Sequence, residues 1–170
     1  TKTATGAEKK KAEGDKNGYS TSLSSDGSLL AIGANTNDSN GDQSGHVRIF
    51  ENVAGQWLQK GDAIVGEASN DWFGWALSFS SDGSRLAISG RLNDGVNGSD
   101  SGHARIYGWD GTSWNQIGGD IDGEASSDLF GQDISLSGNG SVIAVGGSQN
   151  DGNGDNSGHV RVYSSSFSSL

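Results

Sequence analysis

One short phrase returns three times in this chain. Gly45-His-Val-Arg-Ile-Phe50, Gly102-His-Ala-Arg-Ile-Tyr107 and Gly158-His-Val-Arg-Val-Tyr163 begin 57 and then 56 residues apart. A period of that length, carried by short apolar runs, belongs to repeat architectures, in which each unit buries its faces against its neighbours. Residues present in every copy point to scaffold before they point to a single reactive site.

The rest of the unit repeats around that phrase. In the middle copy Trp75, Leu77 and Phe79 alternate with Ala76, Ser78 and Ser80, the period of a half-buried strand. Ser81-Asp-Gly-Ser84 follows as a tight hairpin signal, with both central residues expected at positive φ. Arg85 to Ser89 reads as a second strand, His103 to Tyr107 as a third and Trp114 to Ile121 as a weaker fourth. The hairpin returns as Ser25-Asp-Gly-Ser28 and Gly138-Asn-Gly-Ser141. Gly is 29 of 170 residues and hydrophobic residues only 31%, which without a period would read as disorder. At fixed places the glycines read as turns. The fold expected is all-β: propeller-type repeats of four-stranded antiparallel blades, three in number. Residues 17–70, 71–127 and 128–170 are the three units, the last lacking its fourth strand. Residues 1–16 are either an N-terminal arm or a degenerate outer strand.

Composition removes several classes of function. The net charge is −10, and the 16 N-terminal residues hold five of the eleven basic residues. An acidic surface of this kind repels phosphate backbones, so nucleic acid is not an expected partner. No apolar run reaches the length of a membrane span. With no Cys there is no disulfide framework and no thiolate metal site. Met is also absent, position 1 included, which reads as a processed product or a fragment.

The motifs resemble the FG-GAP repeat family of β-propellers, which includes integrin α-subunit heads. Phe73-Gly74 and Phe130-Gly131 stand for the FG, weakly echoed by Asn17-Gly18. Gly33-Ala34-Asn35 stands for the GAP with Asn in place of Pro, and Gly90 and Gly146-Gly147 are looser versions. The resemblance implies an extracellular or cell-surface propeller used in adhesion or ligand binding. The family's calcium loop falls where this chain has only a tight hairpin, so that site is not carried over. Three blades are also too few for a ring, which needs about four to eight. The expected object is therefore larger, completed by self-association or by another polypeptide.

Several constellations remain as candidates. Asp38-x-Asn40-x-Asp42 and Asp151-x-Asn153-x-Asp155 alternate oxygen ligands as calcium loops do; the competing reading is an Asx-turn-rich surface loop. His46, His103 and His159 recur with Arg48, Arg105 and Arg161 at spacing two, on one strand face. Blades fan apart, so these are expected to form a buried network within each blade, with Asp71 or Asp128 accepting from the His or Arg. Glu67 and Glu124 are expected as solvated or capping turn residues. Trp57 and Trp114 recur and are expected between blades; of the unrepeated Trp72, Trp75 and Trp109, one near a loop could stack on a sugar ring, whereas Trp75, alternating with Leu77 and Phe79, is expected in the core or between blades. Asn37 and Asn97 are loop sequons suited to a glycan. No nucleophile elbow or phosphate loop occurs, so no enzyme is expected. The function expected is a structural or adhesive repeat protein whose blade faces pair into an assembly or filament. The alternative is a calcium-dependent carbohydrate- or protein-binding module of a larger propeller.

Overall fold

The computed structural model describes residues 13–164. Residues 1–12, most of the expected arm, and residues 165–170 lie outside the described residues. All regular structure among the described residues is β. The first sheet runs β1 (Ser20–Leu23), β2 (Leu29–Ala34), β3 (His46–Val53) and β4 (Gln56–Gln59), with β5 (Ile64–Val65) also on β3. The second is β6 (Phe73–Phe79), β7 (Arg85–Gly90) and β8 (His103–Trp109), with β9 (Trp114–Gln116) and β10 (Ile121–Asp122) both on β8. The third is β11 (Phe130–Leu136), β12 (Val142–Gly147) and β13 (His159–Ser164). Every ladder is antiparallel.

Two local expectations are corrected. The fourth strand is not one run from Trp114 to Ile121. It is split into β9 and β10, with Gly118 at φ 76° in the turn between them. Gly61, also at φ 76°, lies between β4 and β5 in the same way. The hairpins are not tight two-residue turns. Gly27, Gly83 and Gly140 take positive φ, but Asp26, Asp82 and Asn139 do not. Instead, the Asp26 carboxylate accepts from Ser24 Oγ, Ser28 N and Ser28 Oγ at 2.6, 2.9 and 2.8 Å, closing a longer loop from the side chain.

The sheets stack face to face in an open row. β6 packs on β1 and β2, and β11 on β6 and β7. Alternation explains why one strand can serve two cores. Leu29, Ala31, Val47 and Ile49 of the first sheet meet Phe73, Phe79, Leu86, Ile88 and Tyr107 of the second. The opposite face of the second sheet, with Ala87, Ala104 and Ile106, meets Phe130, Ile134, Leu136 and Ile143 of the third. Polar groups cross the same seams. Phe79 N donates to Ser22 Oγ at 3.0 Å, and Leu136 N to Ser78 Oγ at 2.9 Å. At the turns Ser25 N donates to Ser81 O, and Ser81 N to Gly138 O, at 3.0 and 2.7 Å. Each seam thus combines an apolar core with a repeated set of bonds.

Candidate functional site

The recurring Arg is the ionic centre of the seam. Arg105 projects from β8 and is 8% exposed. Its Nε and Nη2 donate to the two oxygens of Asp120 at 2.8 and 2.6 Å, a bidentate fork. Nη2 also donates to Glu67 Oε2 at 2.5 Å, and Glu67 Oε1 accepts from Asn93 Nδ2 at 2.9 Å. Burial alone would pull the Arg105 pKa down, but the hydrogen bonds to Asp120 and Glu67 outweigh it and raise it, fixing the positive charge. Those bonds hold the Asp120 carboxyl below its usual range. Glu67 is held low as well, against the opposing effect of its own burial.

Glu67 comes from the linker after the first sheet and Arg105 from the second, so the pair ties the row together. The next seam repeats it: Glu124 pairs with Arg161, and His159 Nδ1 lies 3.6 Å from Glu124 Oε2. Glu67 and Glu124 are therefore not merely solvated turn residues. Nor do Asp71 and Asp128 accept from the His or Arg. Asp71 Oδ2 accepts from Glu67 N and Ala68 N at 3.1 and 2.8 Å, and Asp128 Oδ2 from Glu124 N and Ala125 N at 3.1 and 3.0 Å. Each buried Asp shapes the turn that aims the Glu. Burial raises the Asp71 pKa, since charge there loses water. The recurrence of Glu67 with Glu124, and of Asn93 with Asn150, was the sequence signal for this network.

His103 lies beside that ion pair without a hydrogen bond to it. His46 and His103 are buried, and neither ring nitrogen of His103 has a hydrogen-bond partner. Phe73 meets His103 edge-on with ring centroids 6.1 Å apart, and Phe130 meets His159 at 5.6 Å. Arg48 lies half-buried on β3, the counterpart of Arg105.

Among the described residues, Glu67, His103 and Asp120 bring ligand atoms within 4.8 Å of one another. The cation in contact with both acids is the Arg105 guanidinium. The loop candidates for calcium are arranged differently. Asp38 Oδ1 accepts from Gln43 N at 2.8 Å, and Asp151 Oδ1 from Asn156 N at 2.7 Å. Asp94 of the middle loop does the same to Asp100 N at 2.9 Å, although that loop lacks the alternating pattern. Asn40 Nδ2 donates to Gly66 O and Glu67 O, pinning its loop to the linker. Asp42, Asn153 and Asp155 are exposed on the same loops. The shared geometry is a loop closed on itself by an Asp side chain that spans five or six residues.

The sequons fare unequally. Asn37 is buried and its Oδ1 accepts from Ser39 N at 2.9 Å, so a glycan on it would not fit this fold. Asn97 is exposed, but its Nδ2 donates to Gly123 O at 2.7 Å. Trp114 lies in the seam as expected, its Nε1 donating to Lys60 O at 3.1 Å. Trp57 is half-buried on β4. Trp109 packs against Trp114 instead of standing free, and Trp72 and Trp75 stack with centroids 5.5 Å apart.

The outer face of the third sheet differs from the others in exposure. Strand register makes Val47, Ala104 and Val160 equivalent, and likewise Ile49, Ile106 and Val162. Val47, Ile49 and Ala104 are 0% exposed and Ile106 is 1%, whereas Val160 is 69% and Val162 66% exposed. At the opposite end Leu23 is 57% exposed, whereas its counterparts Phe79 and Leu136 are each 7%.

No family model and no curated protein matches this sequence. Among solved structures the fold is similar to Kuenenia stuttgartiensis hydrazine synthase, with a TM-score of 0.56 at 13% identity. The similarity covers 95% of this chain and 36% of that one. At this identity the likeness is one of fold.

Proposed function

We propose that this chain is a run of three propeller-type blades of the FG-GAP-like kind, and that it works by association through blade faces. Each end of the row receives a further blade, supplied by a second copy of the chain. The observation that carries this reading is the exposure of Val160 and Val162 at positions fully covered in the other two sheets. Covering such side chains stabilises by about 1–2 kcal/mol each. Leu23 offers an apolar counterpart at the other end of the row. The two end faces differ, so the contact is head-to-tail, able to close into a ring or to continue as a filament.

Native mass spectrometry tests this. Wild type is expected at multiples of 17.4 kDa. The double variant Val160→Asp, Val162→Asp is expected at the monomer mass with an unchanged strand signal in circular dichroism. A monomeric wild type at high micromolar concentration, or a variant that associates as wild type does, would sink the reading.

A further inference from the structure

The open face of the third sheet carries a groove of 480 Å³, lined among others by Gln132, Gly146, Gly147, Ser157, Gly158 and Val160. The same place on the first two sheets is filled, and what fills it is the same each time. On the first sheet Phe73 N donates to Ser44 O at 3.1 Å, and Gly45 forms an isolated parallel bridge with Phe73. Gly66 N donates to Gly45 O at 2.9 Å. On the second sheet Phe130 N donates to Ser101 O at 3.0 Å, and Gly123 N to Gly102 O at 2.9 Å. Ser157 and Gly158 occupy the corresponding positions on the third.

The fit at these seats leaves no room for other backbones. A Cβ on Gly45 would fall 2.1 Å from Phe73 O, and one on Gly102 the same distance from Phe130 O. A Cβ on Gly33 would fall 2.3 Å from Gly74 O. On the third sheet the contacts are absent among the described residues. A Cβ on Gly158 would come no nearer than 3.1 Å to Ser148 O, and one on Gly146 would meet Asp133 O at 3.7 Å. The incoming glycine is constrained as well. Gly74 and Gly131 stand at φ 86° and 91°, and a Cβ on them would lie 2.8 Å from His46 O and 2.7 Å from His103 O. The residue before it is a fully buried Phe in both cases.

We infer that this groove is a binding seat for an extended segment of the form Gly-Glu-x-x-x-Asp-x-Phe-Gly, presented by a partner blade. The seat specifies the partner more narrowly than an apolar face does. Main-chain carbonyls of Ser157 and Gly158 accept the backbone of the Phe and of the leading Gly. The His159 carbonyl, counterpart of those of His46 and His103, admits only a Gly after the aromatic ring. This chain's own first unit offers Asn17-Gly18 there, keeping the Gly and lacking the ring. A segment with a true Phe-Gly therefore binds this seat more tightly than the first unit of a second copy does. The inference rests on the face-pairing reading and names the partner's chemistry within it.

The test is fluorescence anisotropy with a labelled peptide of residues 123–136 of this sequence, titrated with the full chain diluted to where its native mass is monomeric. Saturable binding is expected, at least tenfold weakened by Phe130→Asn in the peptide and by Gly131→Ala in the peptide. Loss of a buried ring is worth more than that factor. Gly146→Val in the chain should abolish binding. The peptide variants leave the chain unaltered, so their outcome does not depend on its folding. No binding, or equal binding of the Phe130→Asn peptide, overturns the inference. Should chains associate through Val160 and Val162 while the peptides bind alike, the pairing reading stands and the Phe-Gly specificity falls.

Discussion

Two of the three recurring histidines are sealed inside the protein: His46 is 2% exposed and His103 is 0%. Burial strips water from the imidazolium, and the neighbouring Arg48 and Arg105 repel it, so both pKa values fall from 6.5 to about 4. The unfolded chain takes up these protons near pH 6.5 and the folded chain not until about pH 4. Between those values the unfolded state binds more protons, so stability is full above pH 6.5 and falls as the pH drops. The slope is on the order of 1 kcal/mol per pH unit for each histidine. Urea midpoints at pH 7.5 and 5 should show a steep loss for wild type, and about half that slope for His103→Asn. A midpoint that does not move over this range would contradict burial of neutral imidazole. The carboxyls of Glu67 and Asp120, held low beside Arg105, add to the loss only under more acid conditions.

At the scale of the element, glycines with similar φ carry different weights. Gly27 stands at φ 69° with open space where a methyl group would go, nothing lying within 4 Å of it. Gly74 stands at φ 86°, and a methyl group there would meet His46 O at 2.8 Å and Val47 Cγ2 at 3.0 Å. Gly27→Ala should cost about 1 kcal/mol, the penalty of a left-handed alanine. Gly74→Ala adds a collision with the neighbouring sheet and should cost about 3 kcal/mol or more. Thermal melts of the two variants compare them directly, and equal losses would mean that the seam yields easily. Strands and hairpin positions could be read from the sequence because alternation and turn residues act within a few positions. The Arg105 partners could not. Glu67 lies 38 residues before Arg105, and their meeting depends on how one sheet is offset on the next. Asp120 was hidden for a related reason, since the break at Gly118 redirects the chain across β8. The calcium and glycan candidates were read from residue type and local spacing. The loops use those same side chains to close on themselves, at Asp38, Asp151 and Asn37.

Taken whole, the molecule is a row in which the second sheet has neighbours on both faces and the outer two on one. Stability in such a row is a sum of units and seams, with openings concentrated at the ends. Hydrogen exchange should be slowest in β7 and β8 and faster in β12 and β13, although their ladders are equally regular. Uniform protection would mean that the row opens as one body. The two seams are built alike: a Phe-Gly on a Ser-Gly carbonyl pair, a serine hydroxyl under a backbone amide, a Glu reaching forward to an Arg. Such parts are interchangeable. The third unit carries the same plug that the second presents to the first, so no residue records how many units stand between. Joints built alike would let a unit be gained or lost by gene copying without rewriting the joints on either side.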